Sequence, residues 1–210
     1  TMIQKIGKHR IKHGDIMDGI DDLMQGDKAD FIYTDPPWGQ GTLKYFQTLN
    51  KKQTGKEPRD VSWSGFMDLF FSILTNYAKD GIVIEMGTRW RDDIISHSEK
   101  SGFVHGGVLT SLYGSKKKPL PLDLHLLSKS GSLEVNPIMQ RELLKRWGFN
   151  VVDFIFDEFC PVSGVILDPM CGMGYTAKAT IKRGLTFYGN EINSKRLNQT
   201  VEKLHADSNK

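Results

Sequence analysis

The run Phe31-Ile32-Tyr33 passes directly into Thr34-Asp35-Pro36-Pro37-Trp38. Apolar, β-favouring residues followed by an acid and two prolines read as a buried strand that stops at a rigid loop. Proline brings no amide to a sheet ladder, fixes its own φ and keeps the residue before it extended. A second strand-to-loop transition lies far downstream, at Val165-Ile166-Leu167-Asp168-Pro169-Met170-Cys171-Gly172-Met173-Gly174. Short buried-type strands with helical segments between them predict an α/β fold with a mainly parallel sheet. In such folds the loops at strand carboxyl ends hold ligands.

The rest of the pattern supports that class. Residues 3–14 are β-like and end at His13-Gly14-Asp15, and apolar residues at 16, 17, 20, 23 and 24 have helical spacing. Residues 39–60, with Gly39, Gly41, Gly55, Pro58 and several lysines, read as a long polar loop. Ser62 or Ser64 caps a helix over 65–79 with a wide apolar face. Strand is expected over 81–86, helix over 90–100, strand at 103–104 and 108–109, loop over 111–121 and strand over 122–127. Pro137 suits the start of a helix reaching Trp147, and 154–159 is irregular. After the strand at 165–167 come a helix over 176–182, a strand over 186–189 with Glu191 at its end, and a helix over 194–205. Nothing marks an interdomain linker, so residues 1–210 are expected to form a single domain.

Composition bounds the function classes. A 210-residue chain with 39% hydrophobic and 25% charged residues can build one full core. The net charge of +3 permits a polyanionic partner without requiring one. Lys51, Lys52, Lys56 and Arg59 share one polar stretch, and Lys116, Lys117 and Lys118 another. They read either as phosphate contacts or as solvated loop residues. Cys160 and Cys171 make neither a CxxC nor a disulfide framework, and the six histidines show no metal-ligand spacing, so a reducing, cytoplasmic setting is expected. The longest apolar stretch, Phe66 to Tyr77, is interrupted by Asp68 and is too short to span a bilayer. Thr1 before Met2 reads as an expression remnant, with no signal segment ahead of the first strand.

The two strand-end loops suggest a specific chemistry. An exocyclic amine on a nucleobase is a poor nucleophile because its lone pair is delocalised into the ring. Two acceptors aimed at its N–H bonds draw it toward tetrahedral geometry. Asp35 offers a carboxylate, the carbonyl of Pro36 a second acceptor held still by Pro37, and Trp38 a plate for base stacking. In the downstream turn, Gly172 and Gly174 allow a ligand close to the backbone. Glu191, at the end of the next strand, has the position of an acid that binds ribose hydroxyls. The turn lacks the GxGxxG spacing of a dinucleotide site. Asp15 is either a helix N-cap or a partner for a cofactor's adenine amine, with Ile16 and Ile192 packing on the ring.

These segments resemble the amino-methyltransferases of DNA, which methylate adenine N6 or cytosine N4 with S-adenosylmethionine. The order resembles the permuted, beta-type group, in which the Asp-Pro-Pro-aromatic motif precedes the cofactor motif. His13-Gly14-Asp15 with Ala29 to Trp38, Gly81 to Met86, Asn136-Pro137 with Leu143-Leu144, Val165 to Gly174, and Tyr188 to Ile192 carry the likeness. The resemblance implies a Rossmann-like sheet, mostly parallel with an antiparallel edge strand and helices on both faces. It implies that Asp35 to Trp38 act on the base, and that Asp15, Ile16, Asp35, Asn136, Pro137, Asp168 to Gly174, Thr176, Glu191 and Ile192 hold the cofactor. It makes DNA the expected partner, through the two lysine-rich stretches, with adenine favoured by an acid at position 35. Departures are Met170, Cys171 and Met173 in the turn, Asn136 where lysine is common, and Trp38 where Tyr or Phe is commoner. The Asp-Pro-Pro-Trp form also occurs in the messenger-RNA adenosine methyltransferases, which leaves RNA open. Only Ser130 to Asn136 stands where the family places a target-recognition region, so readout is expected to come from 39–60 and 111–121, from a second or accessory subunit, or to be weak.

Overall fold

A computed structural model describes residues 2–209, which leaves Thr1 outside the described residues. Eight strands form one sheet: β1 (Met2–Ile6), β2 (His9–His13), β3 (Phe31–Thr34), β4 (Ile82–Gly87), β5 (Val104–Ser115), β6 (Lys118–Ser128), β7 (Val165–Asp168) and β8 (Thr186–Glu191). Their spatial order is β1-β2-β8-β7-β3-β4-β6-β5. The five central strands, β2, β8, β7, β3 and β4, run parallel, whereas β1 and β6 run antiparallel to them.

The helices are α1 (Asp21–Met24), α2 (Gly39–Thr54), α3 (Trp63–Tyr77), α4 (Arg91–Lys100), α5 (Pro137–Leu143), α6 (Phe149–Phe159), α7 (Tyr175–Lys182) and α8 (Ser194–Ser208). They lie on both faces because the central strands are apolar on both. On β3, Ile32 joins a core with Phe66, Phe70 and Leu74 of α3, while Phe31 and Tyr33 join Val152, Ile155 and Phe156 of α6. Each such large buried side chain is worth about 1.5–3 kcal/mol of transfer energy. Among the described residues no helix is long and apolar enough to cross a membrane.

Several segments differ from expectation. Residues 39–60 are not a long loop: α2 occupies most of them. Gly39 (φ +85°) and Gly55 (φ +74°) stand at its two ends, so these glycines punctuate the helix and do not break it. The stretch 16–24 is a 3-10 turn and one turn of α1, divided by Gly19 with φ +76°. Residues 154–159 are helical, because Val151, Val152, Ile155 and Phe156 bury one stripe of α6. The helix from Pro137 stops at Leu143, short of Trp147. Residues 111–121 are a hairpin, not a loop. Of β6, only Leu122 to Leu127 pair with β4, so the outer parts of β5 and β6 extend past Gly87 as a two-stranded finger.

The chain leaves β7 for β8 on one side of the sheet and β3 for β4 on the other. β3 and β7 are neighbours, with Phe31 opposite Ile166 and Ile32 opposite Leu167. That is a topological switch point, and it places Asp35 and Asp168 at adjacent carboxyl ends.

Candidate active site

Two cavities open at this edge. The first, about 250 Å³, is lined by Asp15, Ile16, Pro36, Phe46, Glu191 and Ile192, among others. The second, about 220 Å³, is lined by Tyr33, Glu85, Tyr113, Asp168, Tyr175 and the glycine turn, among others. Asp35, Met170 and Arg196 line both, so the two meet at the acid of the Asp-Pro-Pro-Trp loop.

The loop leaves β3 with Pro36 buried and Trp38 half-buried. Trp38 Nε1 donates to Asp35 Oδ1 at 3.0 Å. The indole meets Tyr113 of the finger edge-on, with ring centroids 5.3 Å apart. It also lies over Gly87, where an added Cβ would come within 3.1 Å of Trp38 Cε3. Trp90 would come closer still, at 2.8 Å, so glycine at the end of β4 makes room for both indoles.

The glycine turn is held by carboxylates. Asp168 Oδ1 accepts from the Met170 amide at 3.1 Å, and Oδ2 from Thr176 Oγ1 at 2.6 Å. Glu191 Oε2 accepts from the Gly172 amide at 2.7 Å, and Oε1 from the Asn193 amide at 2.9 Å. Thr200 Oγ1 closes the turn on the Gly172 carbonyl. Gly172 (φ +52°) and Gly174 (φ +91°) both use the left-handed region, and a Cβ at Gly172 would sit 2.6 Å from Arg196 Nη2.

Three acids converge on the second cavity. Burial pushes Asp168 up to about 7, with the charge of Asp35 adding to it and the Thr176 and Met170 bonds working the other way. Burial likewise raises Glu85 to about 7. Asp35 is also raised, by its enclosed position first and by Glu85 next. Its carboxyl is nevertheless open along the cavity wall, so water offsets part of that enclosure.

The structure gathers most of the sequence-selected residues. Asp15 is the N-cap, and its place leaves the cofactor role open to it. Its Oδ1 accepts from the Met17 amide at 3.0 Å as an N-cap, and the residue also lines the first cavity. Asn136 and Pro137 line neither cavity. They are exposed at the start of α5, where Asn136 caps the Ile138 amide. Lys51 pairs with Glu57 at 2.8 Å, and Arg59 with Asp18 at 2.5 Å and Asp15 at 3.6 Å. Lys52 and Lys56 are exposed. Lys116 and Lys117 form the turn of the finger and Lys118 begins β6, all exposed.

Sequence reasoning passed over Gln47, Phe46, Tyr113 and Arg196. Arg196 left one signal: a cation in the first turn of a helix runs against the macrodipole and calls for a local reason. Gln47 and Tyr113 left none, because one lay in an expected polar loop and the other in an expected connection.

The fold is the α/β sheet of the amino-DNA methyltransferases, in agreement with the resemblance in the sequence. Among solved structures, M1.HpyAVI matches at 19% identity over 92% of this chain and 97% of its own, with a TM-score of 0.67. It has also been solved with S-adenosylmethionine. TTHA0409 of Thermus thermophilus, assigned as a DNA modification methylase, matches at 19% identity, covering 95% of this chain and 96% of its own, with a TM-score of 0.64. The cytosine-N4-specific PvuII DNA methyltransferase matches at 13% identity, covering 95% and 90%, with a TM-score of 0.60. No protein-family model matches the sequence, and no curated protein matches it significantly.

Proposed function

We propose that this chain transfers a methyl group from S-adenosylmethionine to an exocyclic amine of a nucleobase in DNA, with adenine N6 the favoured target. One observation carries the reading: Asp35 lines both cavities at the point where β3 and β7 end side by side.

The residues present suit the cofactor. Ile16, Phe46 and Ile192 offer apolar walls for a purine, and Glu191 stands at the edge of the same cavity. Gly172 and Gly174 admit a ligand to the backbone, and the acids around the second cavity suit a donor with a positive centre. When bound, S-adenosylmethionine supplies a methyl group made electrophilic by a positively charged sulfur.

The chain's own residues do the rest. Asp35, with one oxygen tied to Trp38, has the other for an amine N–H. The Pro36 carbonyl accepts the second N–H. Trp38 and Tyr113 supply aromatic surface for a base taken out of its stack. Preorganised acceptors of this kind contribute about 10²–10³ each in rate. The lysines of the finger stand beyond the site, where phosphates would pass.

Two finer readings differ in target. The PvuII likeness favours testing cytosine N4, and the Trp in the motif favours testing RNA. Labelled-methyl transfer onto duplex DNA, single-stranded DNA and RNA, followed by nucleoside mass spectrometry, decides all three. Methyladenine in DNA is the expected product. No transfer to any nucleic acid, together with no binding of S-adenosylmethionine, would point to a silent subunit of a methyltransferase complex.

A further inference from the structure

Glu85 has no part in holding base or cofactor in the scheme above, yet it stands among the groups that do. It follows Ile84, the register partner of Thr34, so it stands beside Asp35 just past the last β3–β4 pair, and it lines the second cavity with Asp35 and Asp168. Tyr33 Oη donates to its Oε1. The charge of Glu85 in turn works against ionisation of Asp35. From β6 its register partner is Leu124, and α6 lines the same cavity with Val151 and Val152, so those elements face it with apolar groups. The cation lining the same cavity is Arg196 of α8, whose charge favours the ionised form of Asp35.

Like charges in an enclosed site oppose a second ionisation. Building on the amine methylation proposed above, we propose that Asp35 and Glu85 share one proton, with Glu85 as the positioning residue that lets the pair accept the proton the methylated amine must lose.

The steps balance. The amine lone pair forms the new N–C bond, and the nitrogen is left positively charged. An N–H bond then breaks, its electron pair stays on nitrogen, and the proton passes to Asp35. The pair goes from one proton and one negative charge to two protons and none. Loss of one proton to water through the cavity restores it. Tyr33 remains a neutral donor throughout, its phenol held well above the ordinary range by burial and by Glu85. A Glu85 at about 7 is matched to taking up and returning a proton near neutrality.

The test has two readouts on the full chain. Infrared spectra of the ligand-free protein at neutral pH should show protonated-carboxyl absorption, and the part that Asp168→Asn does not remove should be lost in Glu85→Gln. Absence of that part from the folded wild type overturns the shared proton, whether or not the chain proves to be a methyltransferase. In methyl transfer, Glu85→Gln should lose about a hundredfold in rate, with S-adenosylmethionine affinity held within about threefold. The wild-type rate should rise through an acid limb near neutrality. Tyr33→Phe removes a bond that lowers the Glu85 pKa, so it should move that limb to higher pH. A limb that stays in place in Tyr33→Phe overturns the proposal even if Glu85→Gln fails to fold. Wild type that shows that absorption but transfers no methyl would instead sink the proposed function.

Discussion

Trp38 Nε1 donates to Asp35 Oδ1 at 3.0 Å, so the indole proposed as a stacking plate also fixes the acid beside it. A hydrogen bond to a charged group is worth about 1.5–3 kcal/mol. Trp38→Phe keeps a ring and loses the bond, and should cut methyl transfer about 10- to 100-fold. Trp38→Ala loses the plate too, and should also raise KM for nucleic acid. Asp35→Ala should abolish transfer while S-adenosylmethionine binding stays within about tenfold, since Ile16, Phe46, Glu191 and Ile192, proposed for the adenosyl group, are kept. Steady-state kinetics and calorimetry check these outcomes, and retained transfer in Asp35→Ala would remove the mechanism.

The raised carboxyls make stability depend on pH in an unusual direction. Asp168 and Glu85 both stand at about 7 in the native chain, against about 4 when unfolded. Between those values the native state holds more protons than the unfolded chain, so stability falls as pH rises. The ligand-free protein should therefore melt at a higher temperature near about pH 5.5 than near about pH 8. Asp168→Asn should flatten that fall, because the amide keeps an acceptor for the Met170 amide without a charge to bury. Melting curves across this range would refute the account if they rose with pH.

The two lysine-rich stretches should behave differently. Lys51 and Arg59 already have carboxylate partners, at 2.8 Å and 2.5 Å. Lys116, Lys117 and Lys118 make no ion pair among the described residues, and they crown a finger that stands past the end of β4. Replacing all three with alanine should weaken nucleic-acid binding and reduce the salt slope by up to about three, with kcat little changed. Lys51→Ala should leave the slope nearly intact. Binding titrations at several salt concentrations separate the two.

What the sequence disclosed, and what it hid, follow one physical rule. Asp35 and Asp168 were legible because each follows a run of buried residues and precedes a proline, a local signal of where a strand stops. Their meeting required only that the strands be neighbours in a parallel sheet. α2 was hidden because its glycines were taken as breakers, although Gly39 and Gly55 stand at its ends. The finger was hidden because its outer residues pair with one another and not with the sheet, so they carry no buried alternation. Glu85 carries no local signal of its surroundings, since its partner Tyr33 is 52 positions away.

Gln47 tests whether Asp15 belongs to the cofactor site. Its Nε2 donates to Asp15 Oδ2 at 2.7 Å, and its Oε1 accepts from the Arg59 amide at 3.2 Å. Buried on α2, it ties the segment after that helix to the wall of the first cavity. Gln47→Leu keeps the volume but strips a donor from Asp15 and an acceptor from Arg59, at a cost of about 1–3 kcal/mol. Its melting temperature should fall, and S-adenosylmethionine should bind about tenfold more weakly if Asp15 marks the adenine end. Gln47→Glu replaces a donor with a second carboxylate beside Asp15. Its binding should be weaker still at neutral pH and should recover in acid, as one of the two acids takes a proton. Calorimetric titration of both variants reads this directly. Wild-type affinity in each would mean that Asp15 serves only as the cap of the turn that follows it.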